Sequence, residues 1–184
     1  MARKNTAAQI IEQATKLFRN SGYHATSMND IAQSVGLKKA SLYNHFPSKE
    51  EIARAVVKHV TQEFQQHVFD IAKDGSLSQT DRAHKIADFL YQQFTENRGS
   101  VVASLSMGEL DDKELPMAEI RSFVDEWQSS LVKLLVPRLQ ENEARCKVQE
   151  FVACLHGGQV MMRLYNERRD LIRKACDEFA QLAA

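Results

Sequence analysis

Residues 27–46 read SMNDIAQSVGLKKASLYNHF, and this stretch predicts two short helices that meet at a sharp turn. Gly36 ends the first helix, because glycine readily adopts the left-handed backbone that a tight turn needs. The apolar side chains expected to pack between the two helices are Met28, Ile31, Ala32, Val35, Leu42 and Phe46. The pattern indicates a helix-turn-helix, although any corner of two helices with a glycine turn would share it.

The exposed side of residues 38–49, the second helix and the segment that follows it, carries hydrogen-bond donors and no acid. The donors are Lys38, Lys39, Ser41, Tyr43, Asn44, His45 and Lys49. A helix that reads DNA needs donors for phosphate oxygens and base edges. A merely solvated helix usually mixes positive and negative charges, so the absence of acids favours nucleic-acid binding.

Charge is distributed unevenly along the chain. The 184 residues carry 24 basic and 24 acidic side chains, so the formal net charge is zero. Residues 1–60 nevertheless carry nine basic and four acidic side chains, a net charge of +5 that the remaining residues balance. A positive segment on a negative body is typical of a module that binds a polyanion.

Helices dominate the rest of the chain. Only 7 glycines and 3 prolines occur, apolar residues recur at helical spacing, and no alternating strand pattern is sustained. The expected fold is all-α, with helix starts capped at Thr6, Ser27, Ser48 and Ser78. The nine predicted helices span 6–20, 27–35, 38–45, 48–73, 79–97, 101–109, 115–141, 143–166 and 168–182.

Composition excludes several classes of protein. Apolar residues make up 43% and charged residues 26%, which is typical of a folded globular chain. The apolar runs are far shorter than the roughly 20 residues of a membrane span. The polar start, Met1–Asn5, and three cysteines without a framework spacing predict a cytoplasmic protein rather than a secreted one.

The run LYNHFPSKE, residues 42–50, is the most specific motif. Together with the rest of residues 6–56 it resembles the TetR/AcrR family of transcriptional regulators. The resemblance implies a helix-turn-helix DNA-binding domain over residues 1–47. It also implies a helical effector-binding and dimerisation domain over 48–184, with helix 48–73 connecting the two.

The resemblance also implies which side chains touch DNA. Ser27 and Lys49 match phosphate-binding positions, and Tyr43 and His45 match positions that meet the DNA backbone. The base-facing positions are Lys39, Ala40 and Ser41. Lys38 stands where the family often has a Ser or Thr cap, so its partner is open between a phosphate and a base.

The body is expected to hold a small, mostly apolar effector, and no cofactor is predicted. The residues expected to line its pocket are Phe64, Tyr91, Phe94, Met107, Phe123, Trp127 and Met161. Apolar walls with few polar groups suit a small organic molecule. The alternative is that these side chains simply form a packed core.

Two adjacent glycines interrupt the penultimate helix and suggest close contact with another backbone. Glycine costs about 1 kcal/mol relative to alanine inside a helix, so some compensation is expected. The resemblance to the TetR/AcrR family implies that this helix and the last one form a homodimer interface, with the predicted residues Phe151, Leu155, Gly157, Gly158, Met162, Leu171, Ala175 and Phe179. A kink or packing within the chain is the alternative.

Other chemistry has little support. His59, Glu63 and His67 are spaced to share one side of a helix, but the expectation is that no metal binds. Cys146, Cys154 and Cys176 could sense oxidants, although buried structural cysteines are commoner. No catalytic set of residues stands out, so we expect no enzyme.

The sequence thus predicts a homodimeric repressor that binds a near-palindromic double-stranded operator and is released by an effector. Three alternatives remain open. The first is a DNA-binding protein of the same type that has no small ligand and acts through a protein partner. The second is an activator, and the third is a helical enzyme or carrier with an incidental glycine turn.

Overall fold

The computed structural model describes residues 2–95, 100–106, 115–165 and 169–183, with side chains from Thr6 onward. Within these ranges the chain is helical, contains no strand, and confirms the all-α prediction. The helices are α1 (Ala2–Ser21), α2 (Met28–Ser34), α3 (Lys39–Tyr43), α4 (Lys49–Phe64), α5 (Asp70–Lys73), α6 (Gln79–Thr95), α7 (Val101–Ser106), α8 (Met117–Leu135), α9 (Glu141–Tyr165) and α10 (Arg169–Ala183).

Three of the four predicted helix caps are confirmed. The hydroxyls of Ser27, Ser48 and Ser78 each accept from the backbone N–H three residues later, at 3.0–3.2 Å. The prediction for Thr6 is wrong, because α1 already begins at Ala2 and Thr6 lies inside the helix.

Two predicted helices are too long. The helix expected over 115–141 ends at Leu135, and a turn over residues 136–139 separates it from α9. Pro137 explains the break, because proline lacks the backbone N–H and its ring clashes with the preceding helical turn. The helix expected over 38–45 is only Lys39–Tyr43, with Asn44 as its C-cap.

The long helix predicted over 48–73 is present but not uniform. Between α4 and α5, residues Gln65–Phe69 form a π-helical turn. A π turn holds more residues than an α turn and therefore rotates the side chains that follow it. This breaks the even spacing of His59, Glu63 and His67. Within the described residues, no three His, Cys, Asp or Glu side chains are grouped to hold a metal.

The contacts divide the chain into two compact units. The described parts of residues 1–61 and 101–121 form the first unit, and those of 62–100 and 122–184 form the second. In the first unit, α7 lies against α1, where the Ser104 hydroxyl donates to the Arg19 carbonyl at 3.4 Å. Its core residues Ile10, Phe18, Ile31, Leu42, Ile52 and Leu105 are fully buried.

The second unit is built around α6, α9 and α10, which pack on one another. Its fully buried side chains include Phe69, Ile86, Leu90, Leu131, Leu134 and Phe179. Among the helices described, none has both the length and the apolar character needed to cross a bilayer.

Candidate nucleic-acid interface and buried ring cluster

A reciprocal cap fixes the start of α2. The Asp30 backbone N–H donates to Ser27 Oγ, while Asp30 Oδ2 accepts from the Ser27 N–H at 2.8 Å and from its hydroxyl at 2.7 Å. These bonds lower the pKa of the Asp30 carboxyl. Ser27 is exposed, as a phosphate contact requires, but its hydroxyl proton would have to leave Asp30 to reach DNA.

The turn between α2 and α3 has the geometry that its sequence predicts. Gly36 has a φ of +69°, in the left-handed region that glycine occupies without strain. The Leu37 N–H donates back to the Ala32 carbonyl at 2.8 Å. Ala32 and Leu42 are buried between the helices, at 1% and 0% exposure. The turn and these buried side chains therefore position α3 against α2.

Helix α3 presents a surface of donors. Lys38, Lys39, Ala40, Tyr43 and Asn44 are exposed, while Ser41 and His45 are half-buried. The Nζ of Lys39 lies 6.0 Å from the centre of the Tyr43 ring, within reach of a cation–π contact. Lys38 is the N-cap residue and makes no capping bond with its side chain, as expected for a lysine at that position.

Lys49 joins α4 to the connection between α1 and α2. Its Nζ donates to the Tyr23 carbonyl at 3.0 Å and lies 4.1 Å from the centre of the Tyr23 ring. The Tyr23 ring is buried and packs against Phe18 at 5.4 Å. An ammonium has three N–H donors, so Lys49 can make this bond and still reach a phosphate.

Arg54 bonds carboxylates from two helices. On α4 it bonds Glu50 at 2.7 Å and lies 3.7 Å from Glu51. It also bonds Glu119 in the first turn of α8, within the same unit. The hydrogen bond that Arg54 donates to Glu50 and the negative charge of Glu119 raise the pKa of the Arg54 guanidinium. Sequence reasoning missed this cluster, although the four-residue spacing of Glu50 and Arg54 was visible.

Four of the predicted effector residues form a buried ring cluster in the second unit, namely Phe64, Phe94, Phe123 and Trp127. The Phe64 ring lies 4.9 Å from Phe123 and 5.5 Å from Trp127, both edge to face. The Trp127 ring lies 6.1 Å from Phe94. Each of the four side chains is at most 5% exposed.

The other three predicted effector residues lie elsewhere or are not described. Tyr91 is half-buried beneath the Arg173 guanidinium, 3.6 Å from its ring centre. Met161 is 41% exposed on α9. Met107 lies outside the described residues. The effector roles of these residues remain predictions.

Two buried donors beside the rings lack acceptors among the described residues. They are Trp127 Nε1 and Gln159 Nε2, on side chains that are 3% and 8% exposed. Leaving a buried donor unpaired costs about 1–3 kcal/mol. His156, whose ring lies 5.3 Å from Phe94, hydrogen-bonds Gln159. Burial lowers the pKa of His156, and the Gln159 bond offsets part of that effect.

Most residues of the predicted dimer interface pack within the chain. Leu155 is fully buried, and the Phe151 and Phe179 rings stack at 4.5 Å. A Cβ added to Gly158 would lie 2.6 Å from Ile172 Cγ1, so Gly158 is needed for the approach of α10. The remaining members are Gly157, which is exposed, Ala175, which is buried, and Met162 and Leu171, which are half-buried.

One side of α9 is apolar and exposed, and sequence reasoning missed it. Its large members are Val160, Met161, Leu164 and Tyr165, exposed by 47%, 41%, 67% and 65%. A Cβ added to Gly157, on the same helix, would meet only open space. Nearby, α9 and α10 line an open groove of about 400 Å³ that includes Phe151, Cys154, Ala175 and Phe179.

The cysteines differ in environment. Cys146 and Cys154 are exposed on α9, whereas Cys176 is buried. Burial raises the pKa of the Cys176 thiol to about 12, so it stays protonated at neutral pH. Of the three thiols, only the two exposed ones are accessible to an oxidant.

Comparison with known proteins finds a specific sequence match in the N-terminal part of the chain. Residues 10–56 match the sequence model described as bacterial regulatory proteins, tetR family. The biofilm operon icaADBC HTH-type negative transcriptional regulator IcaR of Staphylococcus epidermidis is 49% identical over 51 residues, 28% of each chain. The Staphylococcus aureus (strain Newman) IcaR is 52% identical over 50 residues, 27% of each chain. The match therefore spans little more than a quarter of these relatives.

The fold is shared over nearly the whole chain. A crystal structure of a TetR transcriptional regulator from Legionella pneumophila superposes with a TM-score of 0.79 and 24% identity, covering 94% of both chains. At this identity the likeness concerns the fold alone. The match to the family's sequence model is confined to residues 10–56, which are similar to the tetR family of bacterial regulatory proteins, while the rest of the chain shares only the fold.

Proposed function

We propose that the protein is a dimeric repressor that binds a near-palindromic operator and is released by a small, mostly apolar effector. The observation that carries the DNA-binding part is the surface of α3, which follows the glycine turn and presents exposed donors without an acid. The sequence identity of about 50% with IcaR, a negative regulator, extends over only 50–51 residues, and it supports repression.

In the proposed complex, α3 enters the major groove. Lys39, Ala40 and Ser41 face base edges from its N-terminal part, where a recognition helix usually reads sequence. Tyr43, His45 and Lys49 meet phosphates, together with Ser27. Asn44 and Lys38 extend the same surface. Phosphate contacts position the helix, and base contacts select the sequence.

We assign DNA binding to residues 1–47, and effector binding and dimerisation to 48–184, connected by the helix over 48–73. This function places the protein in the cytoplasm with the DNA that it regulates. Two copies would present two α3 helices, so the operator half-sites should lie about 34–36 Å apart or at a multiple of that spacing.

Dimerisation is supported by the apolar side of α9. Val160, Leu164 and Tyr165 are large apolar residues exposed on the same helix, and exposed apolar patches usually mark interfaces. Leu164→Glu would place a charge in that interface, and we expect it to yield monomers in sedimentation velocity. Val136→Glu is the matched control, because Val136 is an equally apolar residue, exposed by 42%, on another segment. Equal effects of both changes would contradict this interface.

Release by an effector is supported by the ring cluster. Phe123 and Trp127 lie on α8, whose first turn carries Glu119, bonded to Arg54 on α4. An effector that binds the released state better than the DNA-bound state weakens operator binding by the difference. Such coupling is typically about 1–3 kcal/mol.

The test is selection of bound fragments from random duplex DNA by the purified protein. We expect enrichment of one near-palindromic sequence by the wild type and loss of enrichment for Lys39→Glu. Lys174→Glu makes the same charge change at an exposed position of α10 and should retain binding. Failure of the wild type to enrich any sequence would overturn the proposal and favour a helical enzyme or carrier.

A second candidate is a regulator that has no small ligand and acts through a protein partner or as an activator. The observation in its favour is that the four rings of the cluster pack on one another. A metabolite mixture added to the protein–operator complex distinguishes the candidates, because only the ligand-responsive repressor should be released. Reporter expression with the operator upstream separates repression from activation.

A further inference from the structure

The indole Nε1 of Trp127 is a buried hydrogen-bond donor without an acceptor among the described residues. Its side chain is 3% exposed, and none of the described residues accepts a hydrogen bond from Nε1. Buried polar groups in folded proteins are almost always paired. A buried group without an acceptor among the described residues, at a candidate ligand site, is suited to pair with an atom of the ligand.

A second buried donor lies on α9, next to a residue that contacts the cluster. Gln159 Nε2 also lacks an acceptor among the described residues, although the side chain is 8% exposed. Its amide bonds His156, and the His156 ring contacts Phe94, which contacts Trp127. Among the described residues, the donor that lies directly among the apolar rings without an acceptor is therefore Trp127 Nε1.

The surroundings restrict the charge of a molecule that could bind there. The rings in contact with Trp127 belong to Phe64, Phe94 and Phe123, none of which can neutralise a charge. His156 could carry a positive charge, but burial lowers its pKa and favours the neutral ring. Burying an unpaired charge among such side chains is strongly unfavourable.

We propose that the effector is a small, uncharged apolar molecule with a hydrogen-bond acceptor, such as a ketone, an ester or a quinone, and that Trp127 Nε1 donates to this acceptor. The inference rests on the proposed effector response and specifies its chemistry. The phenyl rings hold the apolar part.

One alternative pairs the indole within the chain. The Phe64 ring stands nearly perpendicular to the indole, at 78° and 5.5 Å, so the N–H could point at its face. Such N–H to ring contacts are weak but real. In that case the donor is already satisfied, and an acceptor on the ligand would give no advantage.

A matched pair of probes separates these cases. The flat bicyclic molecules 1-indanone and indane differ by one carbonyl oxygen, which only the ketone can offer as an acceptor. Trp127 is the only tryptophan, so a protein labelled with ¹⁵N gives one indole N–H signal. We expect 1-indanone to move the indole proton downfield and to bind about tenfold more tightly than indane.

Two variants identify the donor. Trp127→Phe keeps an apolar ring but removes the N–H, so calorimetry should show equal affinity for the two probes. Phe123→Leu changes the shape of the same cluster and keeps the donor. This variant should bind both probes more weakly and still prefer the ketone.

Three results would overturn the inference: equal binding of both probes by the wild type, binding of neither, or a preference that persists in Trp127→Phe. The proposed function is tested separately, since operator selection uses neither probe. A protein that selects an operator but shows no ketone preference retains its function and loses only this effector chemistry. The reverse result would retain the ligand chemistry and remove the role in DNA binding.

Discussion

Arg54 on α4 bonds Glu119 in the first turn of α8, 65 residues further along the chain. Both side chains are more than 40% exposed, so the pair is screened by solvent and contributes little to global stability. Its effect is on the position of the first turn of α8. It holds the start of the helix that carries Phe123 and Trp127 against the helix that begins at Lys49.

Glu119→Gln removes one charge of this pair. We expect faster hydrogen exchange at the amides of residues 117–121 with little change in the urea unfolding midpoint, because an exposed pair acts locally. Glu126→Gln, an exposed carboxylate further along α8, is the control. Unchanged exchange in Glu119→Gln would show that the bond does not hold the start of α8.

Lys49→Ala should affect both folding and DNA binding. Loss of the bond to the Tyr23 carbonyl and of the ring contact should lower the free energy of unfolding by about 1 kcal/mol. Loss of a phosphate contact should also weaken operator binding and make its salt dependence shallower by about one unit in the logarithmic slope.

Lys58→Ala on the same helix serves as the comparison, since Lys58 is exposed. Urea unfolding and gel-shift titration at several salt concentrations measure the two effects. If the salt slope of Lys49→Ala equals that of the wild type, Lys49 stabilises the first unit without touching phosphate.

Lys39→Ala and Tyr43→Ala should affect operator binding in different ways. Tyr43→Ala removes an expected backbone contact, so affinity should fall for every operator variant alike. Lys39→Ala removes an expected base contact, which costs about 1–3 kcal/mol and relaxes the preference at one position. Competition among single-base operator variants measures the difference. If both substitutions lower the affinity equally for every operator variant, Lys39 contacts a phosphate rather than a base.

Gly157→Ala and Gly158→Ala should have opposite effects on stability. A methyl group at Gly158 meets Ile172 Cγ1 at 2.6 Å, and such overpacking typically costs about 1–3 kcal/mol. A methyl group at Gly157 meets nothing within 4 Å and removes the helix cost of glycine, a gain of about 1 kcal/mol.

Urea unfolding of each variant provides the measurement. Adding Ile172→Ala to Gly158→Ala removes the clashing atoms and should recover part of the loss. If Gly158→Ala alone is as stable as the wild type, α10 is free to move away from α9.

His156 should make stability depend on pH. Burial holds its pKa in the folded protein below the ordinary value of 6.5, so the unfolded chain takes up a proton first as the pH falls. Its contribution is therefore complete above pH 6.5 and is lost as the pH drops through the folded pKa. His156→Gln should flatten the stability curve between about pH 5 and pH 7.

Urea unfolding across that range measures the slope, with His84→Gln as the control, because His84 is exposed. A slope that is the same in His156→Gln and in the wild type would assign the pH dependence to other groups.

Local features were predictable where one segment contains all the interacting atoms. The caps at Ser27 and Ser48 and the left-handed turn at Gly36 depend on atoms a few residues apart, so the sequence pattern was sufficient. The end of α8 was missed although Pro137 marked it, because the apolar spacing continued through the proline. The early start of α1 was missed because threonine is a common N-cap residue, whereas Thr6 lies inside the helix and not at its start.

Contacts between distant segments were not predictable. The bond from Lys49 to the Tyr23 carbonyl, the bond from Arg54 to Glu119 and the approach of Ile172 to Gly158 each join residues that the chain order keeps apart. The aromatic spacing indicated which rings were buried. It could not indicate that Trp127 and Gln159 would keep donors without acceptors among the described residues.

The sequence by itself determined the helical class, the helix-turn-helix and the donors on α3, because helix periodicity, capping and charge are properties of short segments. Only the tertiary structure decided that α7 packs with α1, that Gly158 serves contact within the chain, and that the exposed apolar side of α9 lies at Val160 to Tyr165. Burial depends on which surfaces meet, and many pairings of amphipathic helices satisfy the same apolar spacing.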